Sequence, residues 1–140
     1  MRPLLQRVVS RPCASARAGH DRGSATIQFT VLMPVLFLLI FVGIQGAVQY
    51  HARTVALAAA QEGARAAAAQ FGTPNAGRAA AEAFVVSAGG DDTLQNVAIT
   101  TSRDLNTARV VVSGTSLSLV PGWTPVITQS ASAPVERITG

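Results

Sequence analysis

Phe29 to Val42 reads FTVLMPVLFLLIFV, and this stretch decides the architecture. It is the centre of 28 residues, Gly23 to Tyr50, that carry no formal charge. A helix needs about 20 mostly apolar residues, rising 1.5 Å each, to cross the hydrocarbon of a bilayer. The run meets that length with slack for tilt. Pro34 falls inside it. In a soluble helix interior a proline costs about 3 kcal/mol. In a membrane helix neighbouring groups re-satisfy the freed carbonyl, so a kink or local loosening is expected there and not a break.

Working upstream, residues 1–22 hold Arg2, Arg7, Arg11, Arg17 and Arg22 against Asp21 alone. The whole net charge of +4 therefore precedes the apolar run, and residues 23–140 are balanced. Arginine-rich flanks stay on the cytoplasmic side of a span. The N-terminus is thus expected inside and the C-terminal region extracytoplasmic. Only 13% of residues are charged and 49% are hydrophobic. Soluble domains carry roughly 25% charged residues. No nucleic-acid partner is expected, because the basic excess sits in the leader and not on a folded face with base-reading side chains. Cys13, also in the leader, is the only cysteine, so no intramolecular disulfide can form. The competing reading is a cleaved secretory signal, which needs a small-residue site directly after the apolar region. The nearest such triplet, Ala56-Leu57-Ala58, lies more than ten residues beyond Val42, inside a helical pattern.

Downstream, Tyr50 to Gln70 is alanine-rich and free of proline, so the helix is expected to continue from Ser24 to about Gln70. Glu62 and Arg65 stand at i, i+3. Gly72 and Pro74 provide the stop. Ala52, Ala56, Ala60, Ala64 and Ala68 recur every four residues, and Gly43 and Ala47 repeat the spacing within the apolar run. Small residues so placed allow close helix packing. A second helix is predicted over Ala76–Ser87, ended by Gly89-Gly90-Asp91-Asp92 as a solvated turn. The period then changes to two. Val97, Ile99 and Thr101 mark one strand, Val110 and Val112 a second, and Val126 to Ala133 a third. Ser102–Thr107 is read as the first connection, Val120-Pro121-Gly122 as a turn, Trp123 as a plug of the sheet edge, and the segment after Pro134 as loose. The fold class is α+β: a long N-terminal membrane-spanning helix, a second short helix and a small antiparallel sheet of about three strands.

Residues that carry chemistry are sparse. His20 and His51 have no partner at metal-ligand spacing, and no P-loop, GxGxxG, GxSxG or CxxC occurs. Neither enzymatic activity, a cofactor, a metal nor a small-molecule substrate is expected.

The stretch Arg22-Gly23-Ser24-Ala25-Thr26-Ile27-Gln28-Phe29, followed by the apolar run with Pro34, resembles the start of TadE-family proteins, pseudopilin-like components of the Flp (tight adherence) pilus system. Ala60-Gln61-Glu62-Gly63-Ala64-Arg65 is similar to the family's alanine-rich Glu-Gly-Ala-Arg segment. Val110-Val111-Val112-Ser113, Leu119-Val120-Pro121-Gly122 and Ala131-Ser132-Ala133-Pro134-Val135-Glu136 extend the likeness to residues 22–136. The resemblance implies cleavage between Gly23 and Ser24 by a prepilin-type peptidase and a place among Tad pilus components in a bacterial cell membrane. It divides the chain into a leader (1–23), a transmembrane helix (24–50), a TadE-like extracytoplasmic domain (51–136) and a tail (137–140). Gln28 stands where the family usually has glutamate. It cannot neutralise a neighbour's amine as an acid would, but it can hydrogen-bond across helices, and Gly43 and Ala47 are further proposed packing positions. Two other readings stay open: an uncleaved, signal-anchored envelope protein presenting a binding module, and a protein secreted after signal cleavage.

Overall fold

Alanine, leucine and their like dominate from Asp21 to Ala68, and the chain there is one helix of 48 residues, α1, continuous through Pro34. The computed structural model describes residues 21–137, and for residues 21–25, 90 and 91 the backbone only. The leader to residue 20, with Cys13 and His20, lies outside the described residues. The chain divides into two compact units, Met1–Leu38 and Leu39–Gly140. In the first, every described side chain, from 26 to 38, is exposed. The second contains the core.

That core starts from the alanine face of α1. Ala52, Ala56, Ala60, Ala64 and Ala68 are buried, and so is the adjoining column Val55, Ala59, Gly63 and Ala67. The stripe of small residues therefore packs within the chain. Ala81 and Val85 of α2 (Pro74–Ala88) and Leu94, Val110, Val112 and Ile127 of the sheet complete the cluster. α2 begins as its sequence dictates. Pro74 occupies the first turn, where no N–H is needed, and Thr73 Oγ1 accepts from Ala76 N–H at 3.1 Å. Gly89 ends it, and Gly90–Thr93 forms a further helical turn, α3. The segment expected to be a plain turn at Asp91-Asp92 is thus helical.

Three antiparallel strands follow, β1 (Leu94–Arg103), β2 (Thr107–Ser116) and β3 (Val126–Pro134), in the order β1-β2-β3. The α+β architecture is as expected from the sequence. β2 is central, and its Ala108, Val110, Val112, Gly114 and Ser116 all face the core. The β1–β2 register slips between Gln95 and Ala98, and Asn96 there has φ +52. Asparagine is among the few side chains that tolerate this left-handed backbone. The slip resets the alternation, so Leu94 points inward although Val97, Ile99 and Thr101 define the inner face further on. Leu94 fills the space above Gly114, where a Cβ would come within 2.7 Å of Leu94 Cγ.

The β1–β2 connection is only Asp104–Asn106, because Ser102, Arg103 and Thr107 belong to the strands. Arg103 turns back onto the end of α1. Its Nη1 donates to the carbonyls of Ala67, Ala69 and Gly72, the last at the turn beyond the helix. Glu136 N–H donates to Ala68 O at 2.9 Å. The last carbonyls of a helix lack partners of their own and carry partial negative charge, so a guanidinium is well suited to them. Replacing Arg103 with methionine keeps much of the apolar stem and removes these charge-assisted bonds, with an expected cost of about 2 kcal/mol. Denaturant unfolding should show a lower midpoint with an unchanged slope.

Residues 135–137, expected to be loose, are held by hydrogen bonds. Val135 N–H donates to Asn106 O at 2.9 Å, and Arg137 Nη2 donates to Leu105 O and Asn106 Oδ1. The β1–β2 turn leaves backbone acceptors that residues 135–137 satisfy.

Candidate membrane segment and assembly residues

α1 is long and apolar enough to cross a membrane, with an 18-residue window of mean hydropathy 2.5, none of it buried. Phe29, Leu32, Phe37, Leu38 and Phe41 are all more than half exposed. A soluble protein seldom exposes an apolar patch beyond a few hundred Å², so this surface needs a partner of its own kind. Thr30 turns its hydroxyl inward on the helix, donating to Thr26 O at 2.8 Å, so this hydroxyl is satisfied within the helix.

The residues singled out in the sequence fall into three groups. Gly23 and Ser24 lie in the first turn of α1. Gln28, Gly43 and Ala47 are exposed on the helix, and a Cβ at Gly43 would meet nothing within 4 Å. Their surface is open, and among the described residues no element covers it. Glu62 and Arg65 form an exposed ion pair at 3.1 Å, worth a few tenths of a kcal/mol. Between them Gly63 is buried at the crossing of α1 and α2. A Cβ on Gly63 would stand 2.7 Å from Gly77 O and 3.0 Å from Ala81 Cβ, and one on Gly77 would stand 2.7 Å from Gly63 O. The two glycines let the helix backbones touch. Arg78 and Glu82 pair on the outer face of α2 at 2.8 Å.

One further residue carries a structural role that its sequence context does not announce. Gln45 is the only buried residue between 26 and 51. Its Oε1 accepts from Leu119 N–H at 2.8 Å, and its Nε2 donates to Leu117 O at 3.4 Å. It clips the β2–β3 connection to the helix. In that connection Val120-Pro121-Gly122-Trp123 forms the expected turn, closed by Trp123 N–H to Val120 O at 3.3 Å. Gly122 has φ +80, the left-handed value that favours glycine after proline in a type II turn. Trp123, which follows Gly122 in this turn, is 46% exposed. Ser116 Oγ and Thr101 Oγ1 are buried without a hydrogen-bond partner. His51 is exposed, and no group of three or more His, Cys, Asp or Glu comes together among the described residues.

Against this geometry, residues 23–65 match the model of a family described as TadE-like protein. The match opens on Gly23 and closes on Arg65, so it contains Gln28, Pro34, Gly43, Ala47, Glu62 and Gly63. The sequence likeness at Val110–Ser113, Leu119–Gly122 and Ala131–Glu136 lies beyond it. Neither the curated proteins nor the solved structures contain a match to this chain.

Proposed function

We propose that this chain is a non-enzymatic, single-pass membrane component of a Tad pilus or related secretion apparatus, a TadE-like minor pseudopilin. α1 anchors it in the bacterial cell membrane, the leader stays cytoplasmic, and residues 51–136 stand outside. One observation carries the reading: the family match begins at Gly23, directly ahead of the apolar run of α1, whose side chains no described residue covers. Glycine suits a prepilin-type cleavage, because without a Cβ its backbone enters a protease cleft closely. Release by a signal peptidase fits less well, since the Ala56-Leu57-Ala58 triplet is inside α1 and Ala56 is fully buried.

Gln28 favours an accessory place over a filament subunit. An acid there would be costly in the bilayer unless a neighbour's amine paired with it. The amide avoids that penalty and forgoes the pairing. It also keeps a second reading in play, that of an uncleaved anchor presenting the α+β domain.

The N-terminus of membrane-extracted protein separates the two. With the cognate peptidase present, the mature chain is expected to begin at Ser24, and Gly23→Leu to leave a longer form that still sediments with membranes. An intact leader beside an active peptidase, shown on another substrate, would leave only the plain anchor.

A further inference from the structure

The β2–β3 connection is unlike the rest of the domain surface. Leu117, Leu119, Val120 and Trp123 are each 43–49% exposed, and Val126 beyond them is 71% exposed. No formal charge lies anywhere from Val110 to Val135. A solvated loop has no reason to gather these side chains, whereas an interaction surface does.

The Gln45 clip fixes where the loop sits. Directly before Gln45, Leu39 to Val42 and Ile44 are exposed and apolar on every side of the helix. Helix side chains lean toward the N-terminus. The Gln45 amide therefore holds the backbone of Leu117 and Leu119 level with these last apolar turns, not further up the helix. A span of about 20 residues counted from Thr26 ends at Gln45. The next formal charge on α1, Arg53, is roughly 12 Å further along the axis. Between them Tyr50 is 71% exposed. Tyrosine and tryptophan with an apolar body and a polar edge collect at the headgroup level.

We infer that the Leu117–Trp123 loop is a second membrane contact, which seats Leu119, Val120 and Trp123 in the headgroup–acyl boundary of the leaflet from which α1 emerges. This rests on α1 being a span. The occupant is lipid because the loop continues the apolar surface of Leu39–Ile44, whose exposure around the whole helix only a lipid solvent matches. The clip also resolves a cost: an unpaired amide at the membrane edge is unfavourable, and Gln45 and the loop satisfy each other. Two attachments, helix and loop, fix the tilt of the domain on the bilayer, which a single helix leaves free.

Trp123 is the only tryptophan, so the full chain reports on itself. Reconstituted in phosphatidylcholine vesicles, it is expected to be quenched more by lipids labelled near the headgroup than by lipids labelled at the chain end, and to be shielded from aqueous iodide. Gln45→Leu, which frees the loop, should lose the lipid quenching and gain iodide quenching while the protein still floats with vesicles. Leu119→Asp, which leaves the backbone clip in place, should shift Trp123 the same way. A floating wild-type protein whose Trp123 responds to iodide and not to lipid labels overturns the loop contact alone. So does shielding from both quenchers that disappears on dilution into excess lipid, since it assigns the loop to a second protein copy. A chain that does not float overturns the span, and the loop contact with it.

Discussion

Gly63→Val is expected to remove a large share of the stability of the domain beyond residue 51 while the chain stays in the membrane. A Cβ at this position already falls 2.7 Å from Gly77 O, a backbone atom that cannot swing aside, and 3.3 Å from Val110 Cγ1. Valine adds two methyl groups at the point where α1, α2 and β2 meet. Overpacking of this kind costs roughly 1–3 kcal/mol, and a rigid backbone neighbour on one side and a central strand on the other place it at the upper end. A domain of this size is stable by only about 5–10 kcal/mol. The apolar helix is a separate matter, because insertion depends on the uncovered residues before Gln45 and not on the crossing. Limited proteolysis of membrane-bound protein should therefore cut the region after His51 faster in Gly63→Val than in the wild type, by up to about a hundredfold for a loss of about 3 kcal/mol, with both chains remaining in the membrane fraction. Gly46→Ala is the control, since a Cβ there meets nothing within 4 Å. Equal protease resistance of Gly63→Val and wild type would mean that the two helices do not approach as described.

This crossing also shows where the sequence was legible and where it was not. α1, α2 and the three strands follow from period and from punctuation, Thr73-Pro74 at the start of α2 and Pro121-Gly122 after β2, whereas α3 does not. The alanine column at Ala52 to Ala68 was visible as spacing, but not its partner. Nine of the 17 residues from 52 to 68 are alanine, so composition alone does not say which of the small residues meet a partner. Gly77 was hidden for the same reason, being one small residue among many until α2 is laid across α1. Leu94 was missed because alternation was counted from Val97, and the bulge at Asn96 shifts the parity between them. Arg103 and Gln45 act across long gaps in the chain, to Ala67 and Leu119. A polar residue inside a strand or at the end of an apolar run carries no local mark of such a partner. Arg137 reads as a tail residue until the β1–β2 turn is folded beneath it. What the sequence displays well is periodicity and local chemistry, whereas hydrogen bonds between distant backbone segments appear only once the topology is in place.

A reporter that matures only outside the cytoplasm, fused after Gly140, is expected to be active, and one restricted to the cytoplasm to be silent. The reason lies in arginines close to the span. Arg7, Arg11, Arg17 and Arg22 precede the apolar run, against Arg53 and Arg65 at similar distances after it. Positive residues within about 20 positions of a span set its orientation, and acidic ones contribute little. The membrane potential acts in the same direction. Carrying the leader's net charge outward against 100 mV costs about 9 kcal/mol at 2.3 kcal/mol per charge. The balanced region after Tyr50 crosses with no net electrical work. Replacing Arg7, Arg11, Arg17 and Arg22 with glutamine removes this bias without touching the apolar residues. The altered chain should still insert but divide between the two orientations, so both reporters should give signal. Because the folded domain forms its contacts after Leu39, the outward fraction should keep the protease resistance of the wild type. Activity of the cytoplasmic reporter alone, on the unaltered chain, would reverse the orientation and place Gly23 on the face away from the proposed peptidase. The processing prediction would fall with it, and the charge-free loop at Trp123 would then have to meet the inner leaflet.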